Sequence, residues 1–270
     1  MNYNNDRKFG VEIEYASANL DRYDMAEAIR NEGVECYTEG YNHYTRNHWK
    51  IVTDTSCGSE IVSPPLKYED MWQLEKVCKV LQENGTEINR NCSVHVHQDA
   101  NDLNVKHFKN IANIYTKYNE GFDEIMPESR RSDNNQYCRS MLYDNSGFVC
   151  SHKEVLNDIK ECKSIYDLTD LFQGRYYKVN FKAYLVHGTV EFRQHSATIN
   201  FEKIKNWVML TNCIVETAKT NSVKSSYNYK QNNFYNIARI LGLYVQSGAT
   251  ELEENIRKFY VKRKKELRRA

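Results

Sequence analysis

The chain has little proline: three in 270 residues, two of them adjacent at Pro64-Pro65. With no repeat, low-complexity stretch or evident linker, a proline-rich recognition segment is excluded. No apolar run approaches the ~18 residues that a membrane helix needs. Net charge is only +1, so no global field argues for nucleic acid. Eight cysteines are scattered without a CxxC pair, and Met1 to Lys8 is polar, unlike a secretory leader. These features point to a cytoplasmic protein with reduced thiols and no membrane partner. Neither GxxxxGK[ST] nor GxGxxG occurs, so a bound nucleotide needs something other than a glycine-rich backbone cradle.

What remains suits a globular protein of one large domain or two small ones, with 40% hydrophobic and 27% charged residues. Residues 8–16 read as a strand, and Asp21 caps a helix to about Glu32. Short strands are expected over 34–53, then Ser59 to Ser63, which Pro64-Pro65 ends because proline cannot donate to a ladder. A helix is predicted over 68–84. Another starts at Asn104 with Phe108, Ile111, Ala112, Tyr115 and Phe122 on one face, and stops at Pro127. Residues 127–150 read as irregular, with a helix from Lys153 to Cys162. Lys178 to Val186 reads as a strand that His187-Gly188 turns back into Thr189 to His195. Helices are predicted over 201–218, 234–243 and 250–270. The mixture favours α+β, a mainly antiparallel sheet with helices packed on one face.

Three strand-like stretches carry charge at period two with an apolar reverse. In Ser93-Val94-His95-Val96-His97 the histidines share a face. Glu12 and Glu14 flank Ile13, and Glu191 and Arg193 flank Phe192. A lone HxH is more often one satisfied and one exposed histidine. Three such strands in one chain are a sensible way to build a charged site on a sheet. Glu12, Glu14, Glu60 and Glu191 supply hard oxygens and His95 a nitrogen, a set suited to Mg²⁺ or Mn²⁺ rather than Zn²⁺. Four carboxylates repel one another unless cations neutralise them, which suggests more than one ion. Such ions bridge phosphate oxygens, and Arg193 can meet a transferring phosphoryl group. The residues alone therefore indicate metal-dependent phosphoryl transfer or phosphate-ester chemistry.

Four segments, taken in order, resemble the amidoligase family of the glutamine synthetase and glutamate–cysteine ligase superfamily. They are Phe9 to Glu14, Gly58 to Pro65, Cys92 to His97, and Val190 to Thr198, within a match over roughly residues 8 to 215. The resemblance implies a glutamine synthetase-like catalytic fold over 1–220, followed by a helical extension over 221–270. It implies ATP-dependent amide formation through an acyl phosphate, with ATP and Mg²⁺. It places metal on Glu12, Glu14, Glu60, His95 and Glu191, and nucleotide phosphate on His97 and Arg193. Ala197 stands where the family usually has glycine.

Arg130, Arg131, Arg139 and Arg175 are candidates for holding a carboxylate substrate by bidentate contact. The amine is open: amino acid, polyamine, peptide or protein lysine. The alternatives are a phosphotransferase of related fold, a metal-dependent hydrolase or nuclease using the same carboxylates, and a degenerate binding protein. The last fourteen residues hold eight Lys or Arg and one Glu. They read as a solvated helix end, with a nucleic-acid or partner contact as the alternative.

Overall fold

The computed structural model describes residues 3–132, 134–144 and 146–269, and it is a mixed α/β protein. Its elements, in order, are β1 (Phe9–Tyr15), α1 (Arg22–Asn31), β2 (Cys36–Thr38), β3 (Trp49–Asp54) and β4 (Gly58–Val62). There follow α2 (Met71–Glu83), β5 (Ser93–Asp99), α3 (Val105–Lys117), α4 (Asn119–Asp123), α5 (His152–Glu161) and α6 (Ile165–Leu171). Last come β6 (Val179–Asn180), α7 (Ala183–His187), β7 (Thr189–Ser196), α8 (Phe201–Thr220), α9 (Phe234–Ile240) and α10 (Glu251–Leu267). Among the described residues, no helix is long and apolar enough to cross a membrane.

The chain forms two compact units, and neither is continuous. One comprises residues 5–98 and 195–208; the other 1–4, 99–194 and 209–270. In the first, five strands lie in the order β2-β3-β4-β1-β5. β1 pairs antiparallel with both β4 and β5, β3 with β4, while β2 pairs parallel with β3. Val11, Ile13, Ile61, Val94 and Val96 are buried, which is the apolar reverse of the charged positions. The β3–β4 turn requires Gly58: its φ is +122°, and a Cβ there would sit 2.6 Å from the Ala16 carbonyl oxygen.

In the second unit β6 pairs antiparallel with β7, Asn180 opposite Glu191. The predicted strand Lys178–Val186 is cut to two residues. The Asn180 side chain accepts the Lys182 N–H at 2.9 Å and turns the chain into α7. Gly188 then ends α7 in the left-handed conformation. A buried polar knot lies behind β7. Lys178 Nζ donates to Asp123 at 2.6 Å and to Asn119 at 3.1 Å, and Gln194 donates to Asp123 at 2.7 Å. The basic C-terminal helix is packed rather than loose. Ile256 and Tyr260 are buried, Arg263 donates to the Ile125 carbonyl, and Lys264 meets Glu124 at 2.6 Å.

Candidate functional site

In the first unit the strand register sets the geometry. Glu12 stands opposite His95, and Glu14 opposite Glu60. The period-two reading therefore puts Glu12, Glu14, Glu60, His95 and His97 on one face of three adjacent strands. His95 Nδ1 lies 3.0 Å from Glu12 and its Nε2 3.7 Å from Glu14, while His97 Nε2 lies 3.3 Å from Glu12. Burial pushes the Glu12 carboxyl up. The charge of His97, hydrogen bonds from His95 and His97, and the charge of His95 outweigh that and hold it well below the usual carboxylate range. Glu14 accepts the Ser93 N–H at 2.6 Å and its hydroxyl at 2.8 Å, which fixes the carboxylate against the start of β5.

One carboxylate oxygen each from Glu12 and Glu60 and a ring nitrogen of His95 all lie within 4.8 Å of one another. Two hard oxygens and an imidazole at that spacing fit a divalent cation of the Mg²⁺ or Mn²⁺ kind. The Glu14–Glu60 juxtaposition adds a reason for one, since like charges directly opposite on neighbouring strands repel.

Lys50 belongs to the same face, because it stands opposite Val62 and two residues from Val52, which faces Glu60. It is buried, and its ammonium donates to Asn42 Oδ1 and to the Tyr44 carbonyl, both at 2.8 Å. Burial lowers its pKa, against the pull of Glu39, Glu60 and Glu12. The lysine thus ties the tyrosine-rich loop before β3 to the charged face. Its position in Trp49-Lys50-Ile51-Val52 carried that signal, since period two from Val52 and Asp54 puts it in phase with them.

In the second unit Glu191 and Arg193 share the other predicted strand and are both buried. They pair with each other. Asn180 Nδ2 donates to Glu191 at 2.6 Å, and Arg193 Nε to the Tyr137 carbonyl at 3.3 Å. The Arg193 guanidinium lies 5.9 Å from the Tyr176 ring centre, and Tyr137 meets Tyr176 edge to face. Asn180, Tyr137 and Tyr176 are partners that strand periodicity cannot reveal, since two of them lie on loops.

The candidate arginines separate. Arg130 is buried, its carbonyl accepting from Gln194. Arg131 donates to the Met126 carbonyl. Arg139 sits against the rings of Tyr143 and Tyr177. Arg175 is exposed, over Tyr176 at 5.3 Å.

Residues 5–215 match the family described as "Putative amidoligase enzyme". The chain belongs to this amidoligase family. No curated protein matches it at a significant level. Among solved structures it is similar to a bifunctional glutathione synthetase from Pasteurella multocida, with TM-score 0.44 and 12% identity, over 96% of this chain and 47% of that one. It is also similar to one chain of the complex between prokaryotic ubiquitin-like protein Pup and its ligase PafA. There the TM-score is 0.38 and the identity 9%, over 97% of this chain and 63% of that one. The chain thus spans less than two thirds of each.

Proposed function

We propose that this protein is an ATP-dependent carboxylate–amine ligase that forms an amide through an acyl phosphate. The observation that supports this most is the donor set on one sheet face: Glu12, Glu60 and His95 within 4.8 Å, beside a Glu14 that stands opposite Glu60. Family membership supplies the reaction class. In this reading Glu12, Glu14, Glu60, His95 and Glu191 hold Mg²⁺ or Mn²⁺, and His97 and Arg193 meet nucleotide phosphate. The bound ions supply charge neutralisation at the phosphoryl group. Arg193 meets charge on its equatorial oxygens, oriented meanwhile by Glu191 and the Tyr137 carbonyl. The substrate carboxylate takes the γ-phosphoryl group of ATP and ADP leaves. The amine then attacks the acyl carbon, and phosphate departs. Among the arginines, exposed Arg175 is best suited to meet a substrate carboxylate, ahead of Arg139 and the buried Arg130.

The glutamine synthetase-like, mainly antiparallel fold belongs to this reading, as do a catalytic domain over 1–220 and a cytoplasmic setting. The substrates are then a carboxylate and an amine of amino-acid or peptide type, with nucleic acid not required.

The test is a panel of amino acids, peptides and amines with ATP and Mg²⁺, read by ADP release and by product mass. The expected result is ADP release that needs both a carboxylate and an amine, gives a condensed product, and stops with chelator. Turnover without ATP would favour the hydrolase, and phosphoryl transfer to a nitrogen or hydroxyl without amide would favour the phosphotransferase. Either would end the ligase reading. Glu191→Gln should weaken metal affinity and turnover together without unfolding the protein, which circular dichroism of the variant checks.

A further inference from the structure

The ligase chemistry leaves the basic C-terminal helix unused, and the cations of that helix divide into two sets. Lys264 and Arg268 meet Glu124 at 2.6 and 3.6 Å, and Arg263 donates to the Ile125 carbonyl. These fasten α10 to its unit. Lys258, Lys262, Lys265 and Arg269 form the other set, and all four are exposed. Their spacings of four, three and four residues confine them to about 60° of helix arc over roughly 16 Å. Glu254 and Glu266 stand 3.9 Å from Lys258 and Lys262, at the outer limit of an ion pair.

An aromatic ladder stands at the N-terminal end of this row. Arg257 precedes Lys258, and its guanidinium carbon lies 4.6 Å from the centre of the Tyr244 ring. The Tyr244 ring centre lies 5.4 Å from that of Tyr235. Tyr235 is 60% exposed, and exposed Arg239 follows it by one turn of α9. α9, Tyr244 and α10 belong to one compact unit. We propose that this strip, from the Tyr235–Tyr244 pair along the exposed cations of α10, binds single-stranded nucleic acid.

The arrangement favours that partner over other anions. Complementing the helix dipole accounts for cations in the last turn, such as Lys264 and Lys265, but Lys258 and Lys262 lie earlier. A nucleic-acid strand is a row of single negative charges, which a row of cations matches in form. An acidic peptide offers the charge without a flat π-face, whereas an unpaired base offers both to tyrosine rings and a guanidinium plane. A duplex keeps its base faces inside the stack. A membrane surface would need an apolar helix face to insert. Ile256 and Tyr260 are instead buried in the protein, and no large apolar side chain of α10 is exposed. That packing also holds the row in place before anything binds, which lowers the ordering cost of association.

The test titrates the full chain against fluorescein-labelled oligo(dT) and oligo(U) of about twelve nucleotides, read by anisotropy. With about four phosphates neutralised, affinity should fall roughly fiftyfold between about 50 and 200 mM salt. Tyr235→Ala should weaken binding about fivefold or more. Lys258→Gln combined with Lys262→Gln should weaken it too, and should reduce the log–log salt slope by about 1.4. All three positions are exposed, and circular dichroism checks that the variants are folded. Excess Mg-ATP should leave the oligonucleotide bound. Failure of both oligonucleotides to bind at about 50 mM salt overturns the proposal. So does polyglutamate or polyphosphate binding as tightly, a duplex binding more tightly, or displacement by Mg-ATP, which would put the strand in the nucleotide site. Since neither carboxylate nor amine substrate is present, failure here is distinct from failure of the ligase reading.

Discussion

A guanidinium and an ammonium carry the same charge in different shapes, and Arg193 sits where shape counts. Its fork serves Glu191 and the Tyr137 carbonyl at once, and its guanidinium carbon lies 5.9 Å from the Tyr176 ring centre. Lysine can reproduce one of these contacts at a time. If Arg193 acts on the phosphoryl group in flight, Arg193→Lys should lower kcat on the order of 10²-fold while ATP affinity changes far less. Thermal midpoint, ATP affinity and turnover measured on one preparation decide it: unchanged turnover in a folded variant rules the role out. Lys178 is the opposite case, a buried charge whose ammonium is spent on Asp123 and Asn119. Lys178→Met leaves the Asp123 carboxylate buried without its ammonium, which costs about 3–5 kcal/mol. Urea unfolding should show the midpoint fall at unchanged slope. A loss below about 1 kcal/mol would mean that Gln194 and the Ser132 N–H already suffice for Asp123.

At the scale of elements, regular periodicity was legible and interruptions were not. The strands bearing Glu12, His95 and Glu191, and the helices from Phe201 and Glu251, lie where the alternation puts them. The helix expected from Asn104 to Pro127 breaks at Tyr118, whose φ of −114° and ψ of 27° leave the helical region. Spacing hides this break, because Tyr115 and Phe122 are seven residues apart, about two helical turns, and stack at 4.1 Å. The short α6 is too brief to show a helical period, although Ser164 and Asp167 form a capping box at its start. Among site residues, the carboxylates and histidines were legible because strands project alternate side chains. Lys50's carbonyl partners were not, since they lie on a loop with no period. The β3–β4 turn offers a direct check. Gly58→Ala puts a methyl group against the Ala16 carbonyl at a positive φ, so a loss of about 1–3 kcal/mol is expected in the same urea assay. An unaffected midpoint would show that the turn relaxes freely.

For the molecule as a whole, acid is the informative stress. Hydrogen bonds from Lys76 and Lys79 hold Glu32 down to about 2, against a usual 4.5, and the hydrogen bond from Arg46 does the same for Glu39. A carboxyl with a depressed folded pKa adds stability that is complete above its unfolded value and is lost as pH falls through the folded one. The contribution from both should therefore fade between about pH 4.5 and 2. Thermal midpoints of wild type and Glu32→Gln should converge across that window and stay apart above it. Parallel curves would show that the two lysines do not hold Glu32 in solution.

The discontinuity of the first unit has a consequence for how the protein is made. Gln98 Nε2 finds its acceptor in the Val208 carbonyl, and Gln82 in that of Ile199. A ribosome adding ~5–20 residues per second needs roughly 5–20 s to cover the 110 residues between Gln98 and Val208. Throughout that interval the five strands exist without the segment that carries Trp207, and their buried polar groups wait for partners still unsynthesised. The nascent chain is thus a client for chaperones at a defined length, and protease sensitivity of stalled chains should drop only once residue 208 has cleared the exit tunnel.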